Sequence, residues 1–199
     1  MYQYNYEDLY ESIRLGKTSN LKYLIEEFGF DYRKDNFKAF LLCIHNNRKD
    51  MARFFKEKYS ASYELKRDFQ SAVQVALQSC VGNDNVEMAL FLLNEFDATV
   101  NYSHINQAAY NDNIEMIYSF FSNKKTFMVW DCERSYIFAI NNKSFRMIKA
   151  LTENYIPFFK LINEIIEACV QTDQIDILKY LVEKNPKTFE QANLSKVFR

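Results

Sequence analysis

Six times along this chain a polar loop feeds an apolar helical run: Ser19-Asn20-Leu21-Lys22-Tyr23, Arg48-Lys49-Asp50-Met51, Asn85-Val86-Glu87-Met88, Asn113-Ile114-Glu115-Met116, Ser144-Phe145-Arg146-Met147 and Gln174-Ile175-Asp176-Ile177. A pattern that returns at near-constant spacing constrains the fold more than any single residue does, because one helical hairpin cannot bury both of its faces and must stack on its neighbours. Anchored on Tyr23, Met51, Met88, Met116, Met147 and Ile177, the steps are 28, 37, 28, 31 and 30 residues by subtraction of residue numbers. Each step fits a helix pair plus a short connection. The expected architecture is all-α: an α-solenoid of about six stacked helix-turn-helix units in one domain over 1–199. The units fall near 5–32, 33–60, 70–98, 103–125, 133–157 and 160–187.

Periodicity supports helices throughout. Leu21, Leu24, Ile25 and Phe28 follow the i, i+3, i+4, i+7 spacing of one helix face, as do Phe37, Phe40, Leu41 and Ile44, then Val86, Ala89, Leu90 and Leu93, and Ile114, Ile117, Tyr118 and Phe121. The run Met88 to Leu93 is apolar all round, as a helix sandwiched between neighbours should be. Upstream of each anchor sits a pair of small or apolar residues: Leu15-Gly16, Cys43-Ile44, Cys80-Val81, Ala108-Ala109, Ala139-Ile140 and Cys169-Val170. These pairs are expected to pack where a first helix meets the next repeat. The long step between Met51 and Met88 is expected to lengthen the helix that opens the third unit.

The stretch Ala108-Ala109-Tyr110-Asn111-Asp112-Asn113-Ile114-Glu115-Met116-Ile117 resembles the centre of an ankyrin repeat. Tyr23-Leu24-Ile25-Glu26-Glu27-Phe28-Gly29-Phe30-Asp31 resembles the end of that family's second helix with its glycine stop. The resemblance is to a degenerate member. No Thr-Pro-Leu-His helix start occurs, and Ser19, Asn47, Asp84, Asp112, Lys143 and Asp173 stand where the family has its interhelix glycine. Asn and Asp tolerate the left-handed backbone region, which makes four of the six replacements physically reasonable. Steps of 28 fall short of the family's roughly 33 residues, which leaves its projecting β-hairpins open for several units.

Charge and composition narrow the partners. With 25 basic and 26 acidic side chains the net charge is −1, which argues against a nucleic-acid footprint or binding to an anionic membrane. The start of the chain lacks a basic segment followed by an apolar core, and no apolar stretch approaches the roughly 20 residues that span a bilayer. The expectation is a soluble, cytoplasmic, monomeric protein. The tyrosines Tyr2, Tyr4, Tyr6 and Tyr10 read as the packing edge of an N-terminal cap.

Catalytic signals are sparse. Cys43, Cys80, Cys132 and Cys169 are widely spaced, with no Cys-x-x-Cys pair, and His45 and His104 lie in no metal motif. Cys43, Cys80 and Cys169 occupy the small-residue position and read as buried hydrophobes, whereas Cys132 lies outside that position and is the candidate for an exposed thiol. The triplets Asn83-Asp84-Asn85 and Asn111-Asp112-Asn113 read as turns, since they lack the Gly and distant Glu of a calcium loop. No catalytic, cofactor-binding or metal-binding residues are assigned, and the chain is expected not to be an enzyme.

Repeat stacks bind through their inner helices and through connections projecting from one edge. Those connections are Phe30 to Asn36, Asp97 to His104, Asn123 to Cys132 and Tyr155 to Phe159. Aromatic and Arg side chains dominate interface energetics, which singles out Tyr32, Arg33, Tyr102, His104, Trp130 and Phe158 as protein-binding candidates. For each of them the alternative is packing between repeats, and Trp130 fits a core position equally well. The abundance of Asn, Lys, Tyr, Phe and Ile resembles the irregular ankyrin arrays of large DNA viruses, amoebae and intracellular bacteria. That resemblance implies a protein-interaction scaffold engaging a host signalling or ubiquitin-pathway protein. The alternative function is an assembly subunit that self-associates through its end repeats.

Overall fold

Six residues with positive φ punctuate the chain at Gly16, Asn47, Asp84, Asp112, Lys143 and Asp173, with φ between 55° and 72°. Each one ends a helix in the same way. The N–H of the following residue donates five residues back, from Lys17, Arg48, Asn85, Asn113, Ser144 and Gln174 to the carbonyls of Ser12, Cys43, Cys80, Ala108, Ala139 and Cys169, at 2.7 to 2.9 Å. The left-handed residue itself donates three residues back, as Gly16 does to Ile13 and Asp112 to Ala109. This pair of bonds is a Schellman cap, which satisfies carbonyls that the helix end would otherwise leave bare.

The caps separate the helices of a computed structural model that describes residues 4–59, 63–123, 132–154 and 161–190. The secondary structure is all helical, and no strand occurs among the described residues. The chain divides into two compact units, Met1–Ala98 and Thr99–Arg199. The first holds three helix pairs: α1 (Tyr6–Arg14) with α2 (Thr18–Glu26), α3 (Lys34–His45) with α4 (Lys49–Tyr59), and α5 (Tyr63–Gly82) with α6 (Val86–Glu95). The second holds α7 (Tyr102–Tyr110) with α8 (Ile114–Ser122), α9 (Glu133–Asn141) with α10 (Phe145–Asn154), α11 (Ile162–Gln171) with α12 (Ile175–Lys184), and a short α13 (Pro186–Phe189). Within each unit, first helices pack on first helices (α1 on α3 on α5; α7 on α9 on α11), and second helices on second helices (α2 on α4; α8 on α10 on α12).

The small residue five places before each second-helix N-cap closes the cap. Ser12, Cys43, Cys80, Ala108, Ala139 and Cys169 are all buried, and each contributes the carbonyl that receives the five-residue bond. The same geometry corrects the expectation for the first unit. Its left-handed residue is Gly16 and not Ser19, its buried pair is Ser12-Ile13 and not Leu15-Gly16, and Leu15 is exposed. The anchor Tyr23 therefore slips by three residues: Asn20, four residues after the left-handed position, matches Met51, Met88, Met116, Met147 and Ile177. Gly16 to Asn47 is then 31 residues by subtraction, closer to the later steps. The one real insertion does lengthen the third unit's first helix, since α5 runs 20 residues against 9 for α1 and α7.

Side-chain caps start five of the described helices, α1, α6, α7, α8 and α10. Asn5 and Asn101 each form a capping box, the latter with His104 as the reciprocating residue. Asn85, Asn113 and Ser144 cap the second helices by accepting from the N–H groups of Met88, Met116 and Met147. Between hairpins, the Asn142 side chain donates to the Ala109 and Tyr110 carbonyls at 3.3 and 2.9 Å, closing the end of α7 from the next pair. Ser135 donates to Asn106 at 2.7 Å, and the buried Glu133 accepts from the Leu161 N–H at 2.9 Å.

The core of the first unit is aromatic. Tyr59 stacks on Phe69 with ring centroids 4.0 Å apart, Phe40 meets Phe69 edge-on at 4.7 Å, and Phe96 joins Phe40 at 5.6 Å. Each large side chain fully withdrawn from water contributes about 1.5–3 kcal/mol, and edge-on pairs add about 0.5–1.5 kcal/mol.

Candidate protein-docking surface

The connection from α2 to α3 carries two of the residues singled out in the sequence, Tyr32 and Arg33. Tyr32 is half-buried: its ring meets Tyr59 edge-on at 5.1 Å, and its carbonyl accepts from the Tyr59 hydroxyl at 3.3 Å. Arg33 is exposed and held in place. Its backbone N–H and its Nε both reach Asp31 Oδ1, at 3.0 and 2.9 Å, while Nη2 reaches Oδ2 at 3.4 Å. The Arg33 guanidinium holds the Asp31 carboxyl below its usual range. Asp31 in turn donates its N–H to the Tyr6 hydroxyl at 3.1 Å, fastening the connection to α1.

The backbone directly after Arg33 is strained. Asp35, Asn36 and Phe37 lie consecutively in the left-handed region, at φ 54°, 54° and 62°. A left-handed turn places Cβ against the next carbonyl and costs about 1–2 kcal/mol for each residue that is not glycine. Surrounding contacts hold it there. The Tyr10 hydroxyl donates to Asp35 Oδ2 at 3.2 Å, the Lys34 ammonium sits 3.8 Å from the Tyr6 ring centroid, Lys38 sits 4.4 Å from that of Tyr10, and Phe37 packs edge-on against Tyr59 at 5.2 Å. Burial, together with the bond to Asp35, pushes the Tyr10 hydroxyl up to about 12.

Beside this turn, α3 and α5 enclose an open groove of about 540 Å³ lined by Asn36, Phe37, Leu41, Asp68, Ser71, Ala72 and Val75. Val75, in mid-α5, is 57% exposed. The lining pairs an apolar floor with Asn36, Asp68 and Ser71 as polar groups. Such a site offers shape and a few directional hydrogen bonds, with no titratable cluster for acid–base work. Among the described residues, no three His, Cys, Asp or Glu side chains converge in a metal-ligating group.

The other sequence-selected residues have different placements. Tyr102 is 56% exposed at the start of α7, in the second unit. His104, on the same helix, is buried: its Nδ1 accepts from the Asn101 N–H at 3.1 Å, and burial pushes its pKa down to about 4. Its ring is thus part of a helix cap and presents no surface to a partner. Trp130 and Phe158 lie outside the described residues. Cys132, expected as the exposed thiol, is fully buried at the N-cap of α9, alongside buried Cys43, Cys80 and Cys169. The groove residues Leu41 and Val75 were missed because both sit on helices whose apolar positions look like core. Only the neighbouring insertion, which extends α5, marks the place in the sequence.

Set against protein-family models, curated proteins and solved structures, the chain matches none of them. No helix among the described residues is long and apolar enough to cross a membrane.

Proposed function

We propose that this chain is an ankyrin-like α-solenoid that acts without catalysis, by binding another protein through the α2–α3 connection and the adjoining α3/α5 groove. The observation that carries this reading is the conjunction of an exposed Arg33 paired with Asp31, a strained left-handed turn and an open groove with Val75 at its rim. Backbone strain is retained where surrounding structure enforces it, and it gathers at ligand clamps and switch regions. An Arg already fixed by Asp31 loses little side-chain entropy on binding, as interface anchors should. The partner fitting this surface presents an apolar residue for the groove and an acidic or carbonyl group for Arg33. On the compositional resemblance, that partner is a host signalling or ubiquitin-pathway protein met in the cytoplasm, with neither nucleic acid nor membrane as the ligand.

Affinity capture tests this reading. The intact chain is compared with an Arg33→Glu/Val75→Asp variant and with a Tyr102→Ala control, each verified as folded by circular dichroism. A protein retained by the intact chain and the control but lost by the double variant supports the surface. Equal retention by all three moves the binding site elsewhere and removes the proposal.

A further inference from the structure

The turn that opens α3 is closed by the Phe37 N–H, which donates to the Arg33 carbonyl at 3.1 Å. Within it Asp35, Asn36 and Phe37 hold φ/ψ of 54°/46°, 54°/52° and 62°/30°, close to the ideal left-handed helix. A right-handed turn closes the same bond four residues back. The backbone bond therefore has no preference of hand, and for three residues that carry a Cβ local sterics favour the right-handed form. Side-chain contacts select the hand that is seen.

Those contacts come from neighbouring helices. The Tyr10 hydroxyl holds Asp35 at 3.2 Å, and the Phe37 ring rests on Tyr59 and Phe69 with centroids 5.2 and 6.0 Å away. The flanks of the turn are fixed by other means: Arg33 is bound to Asp31 ahead of it, and Ala39 and Phe40 are buried behind it. With fixed flanks and one shared closing bond, the three residues change hand together, which makes two states and not a range.

A change of hand acts on the groove between α3 and α5. Half-buried Phe37 lines it together with Leu41, Ala72 and Val75. The direction of each Cα–Cβ bond changes with the hand of the turn, so Phe37 leaves its seat as Asp35 leaves Tyr10. The vacated floor is aromatic, since Tyr59 and Phe69 are stacked at 4.0 Å beneath it.

We infer that Asp35, Asn36 and Phe37 form a two-state latch in which Phe37 is an internal ligand of the α3/α5 groove. The left-handed form seats Phe37 on Tyr59 and Phe69; the right-handed form withdraws it, and an apolar side chain of the partner takes its place. Partner binding then selects the right-handed form, and its affinity is reduced by the fraction of chains whose seat is empty. The latch regulates the docking site proposed above and rests on that reading for its use, whereas the change of hand needs no partner.

Relaxation-dispersion NMR on the intact chain tests it. It is read at the amides of Asp35, Asn36 and Phe37 and at the methyl groups of Leu41 and Val75, which sense the ring current of Phe37. One exchange rate shared by all of them is expected. Tyr10→Phe keeps the ring and removes the hydroxyl that holds Asp35, so the minor population should rise about tenfold, the size of a lost hydrogen bond to a charged group. Asn36→Gly removes a Cβ that penalises the left-handed form, and the minor population should fall about fivefold. Thermal melts verify the fold of both variants. Flat profiles in both the intact chain and Tyr10→Phe overturn the inference. So does exchange that the two substitutions fail to move in opposite directions, or that the methyl groups do not share. No partner enters these readings, so a failed affinity capture leaves the exchange in place, and absent exchange leaves a captured protein in place.

Discussion

The Arg48 guanidinium donates to the carbonyl of Arg14 at 2.6 Å and to that of Ile13 at 3.3 Å, closing the C-terminus of α1 from the hairpin that follows. Those two carbonyls lie in the last turn of α1, where a positive charge also complements the helix dipole. Asn142 performs the same task for α7 in the second unit. Stacking in each unit is thus stitched by side-chain caps across hairpins as well as by apolar burial.

Arg48→Ala is expected to destabilise the first unit by about 1.5–3 kcal/mol, the range for a hydrogen bond to a charged group. Urea unfolding should show a lower midpoint with an unchanged slope. Arg48→Lys should recover only part of the loss, because an ammonium cannot span both carbonyls as the fork does.

Lys143 holds a left-handed conformation at φ 55° without the help of a glycine or an Asn/Asp side chain. Lys143→Gly should remove about 1–2 kcal/mol of local strain against about 0.5–1 kcal/mol of added chain entropy. The net expectation is a small rise in melting temperature. Gly16→Ala should do the opposite, since φ is 72° there and a new Cβ would come within 3.1 Å of the Arg48 guanidinium carbon.

His104 is buried neutral, with its pKa pushed down from 6.5 to about 4. Between those values the unfolded chain binds the extra proton and the folded one does not, so stability is full above about 6.5 and falls as pH drops toward 4. Protonation would also take away the Nδ1 acceptor that serves the Asn101 N–H. His104→Gln keeps an acceptor at that position, and denaturant melts from pH 7 to pH 4 should show a flatter decline than in the parent chain.

The four described thiols should resist modification. Burial pushes Cys80 and Cys169 up to about 12 and raises Cys43 as well, so little thiolate forms near neutral pH. Disulfide-exchange reagents should titrate them only in denaturant. Rapid reaction of any one in the native protein would mean that its helix opens.

Much of the fold can be read from the sequence because its signals are local. Asn47, Asp84, Asp112 and Asp173 read as left-handed stops at the interhelix position, Lys143 carries no such signal in its side chain, and Asn85 and Asn113 announce the helices they cap. The slip in the first hairpin has a simple cause: Tyr23 is aromatic and sits near the expected spacing, whereas the true equivalent, Asn20, is polar and looks like loop. In the sequence His104 fits a contact residue or a packing residue alike, because a buried N3 histidine has no pattern of its own and the capping bond exists only once Asn101 takes its extended conformation.

The sequence by itself determined that the chain is a series of helices broken at regular left-handed stops. Those decisions depend on φ preference, capping chemistry and apolar period, all settled within a few residues. Tertiary structure alone decided which faces stay open. Tyr23 and Phe54 are chemically alike and occupy the same place in their helices, yet Tyr23 is half exposed while Phe54 is buried, with Lys22 of the preceding hairpin and Lys58 of its own helix over its ring. The same holds for the strained turn at Asp35 to Phe37, which is unfavourable locally and persists through Tyr10, Tyr59 and the helices around it.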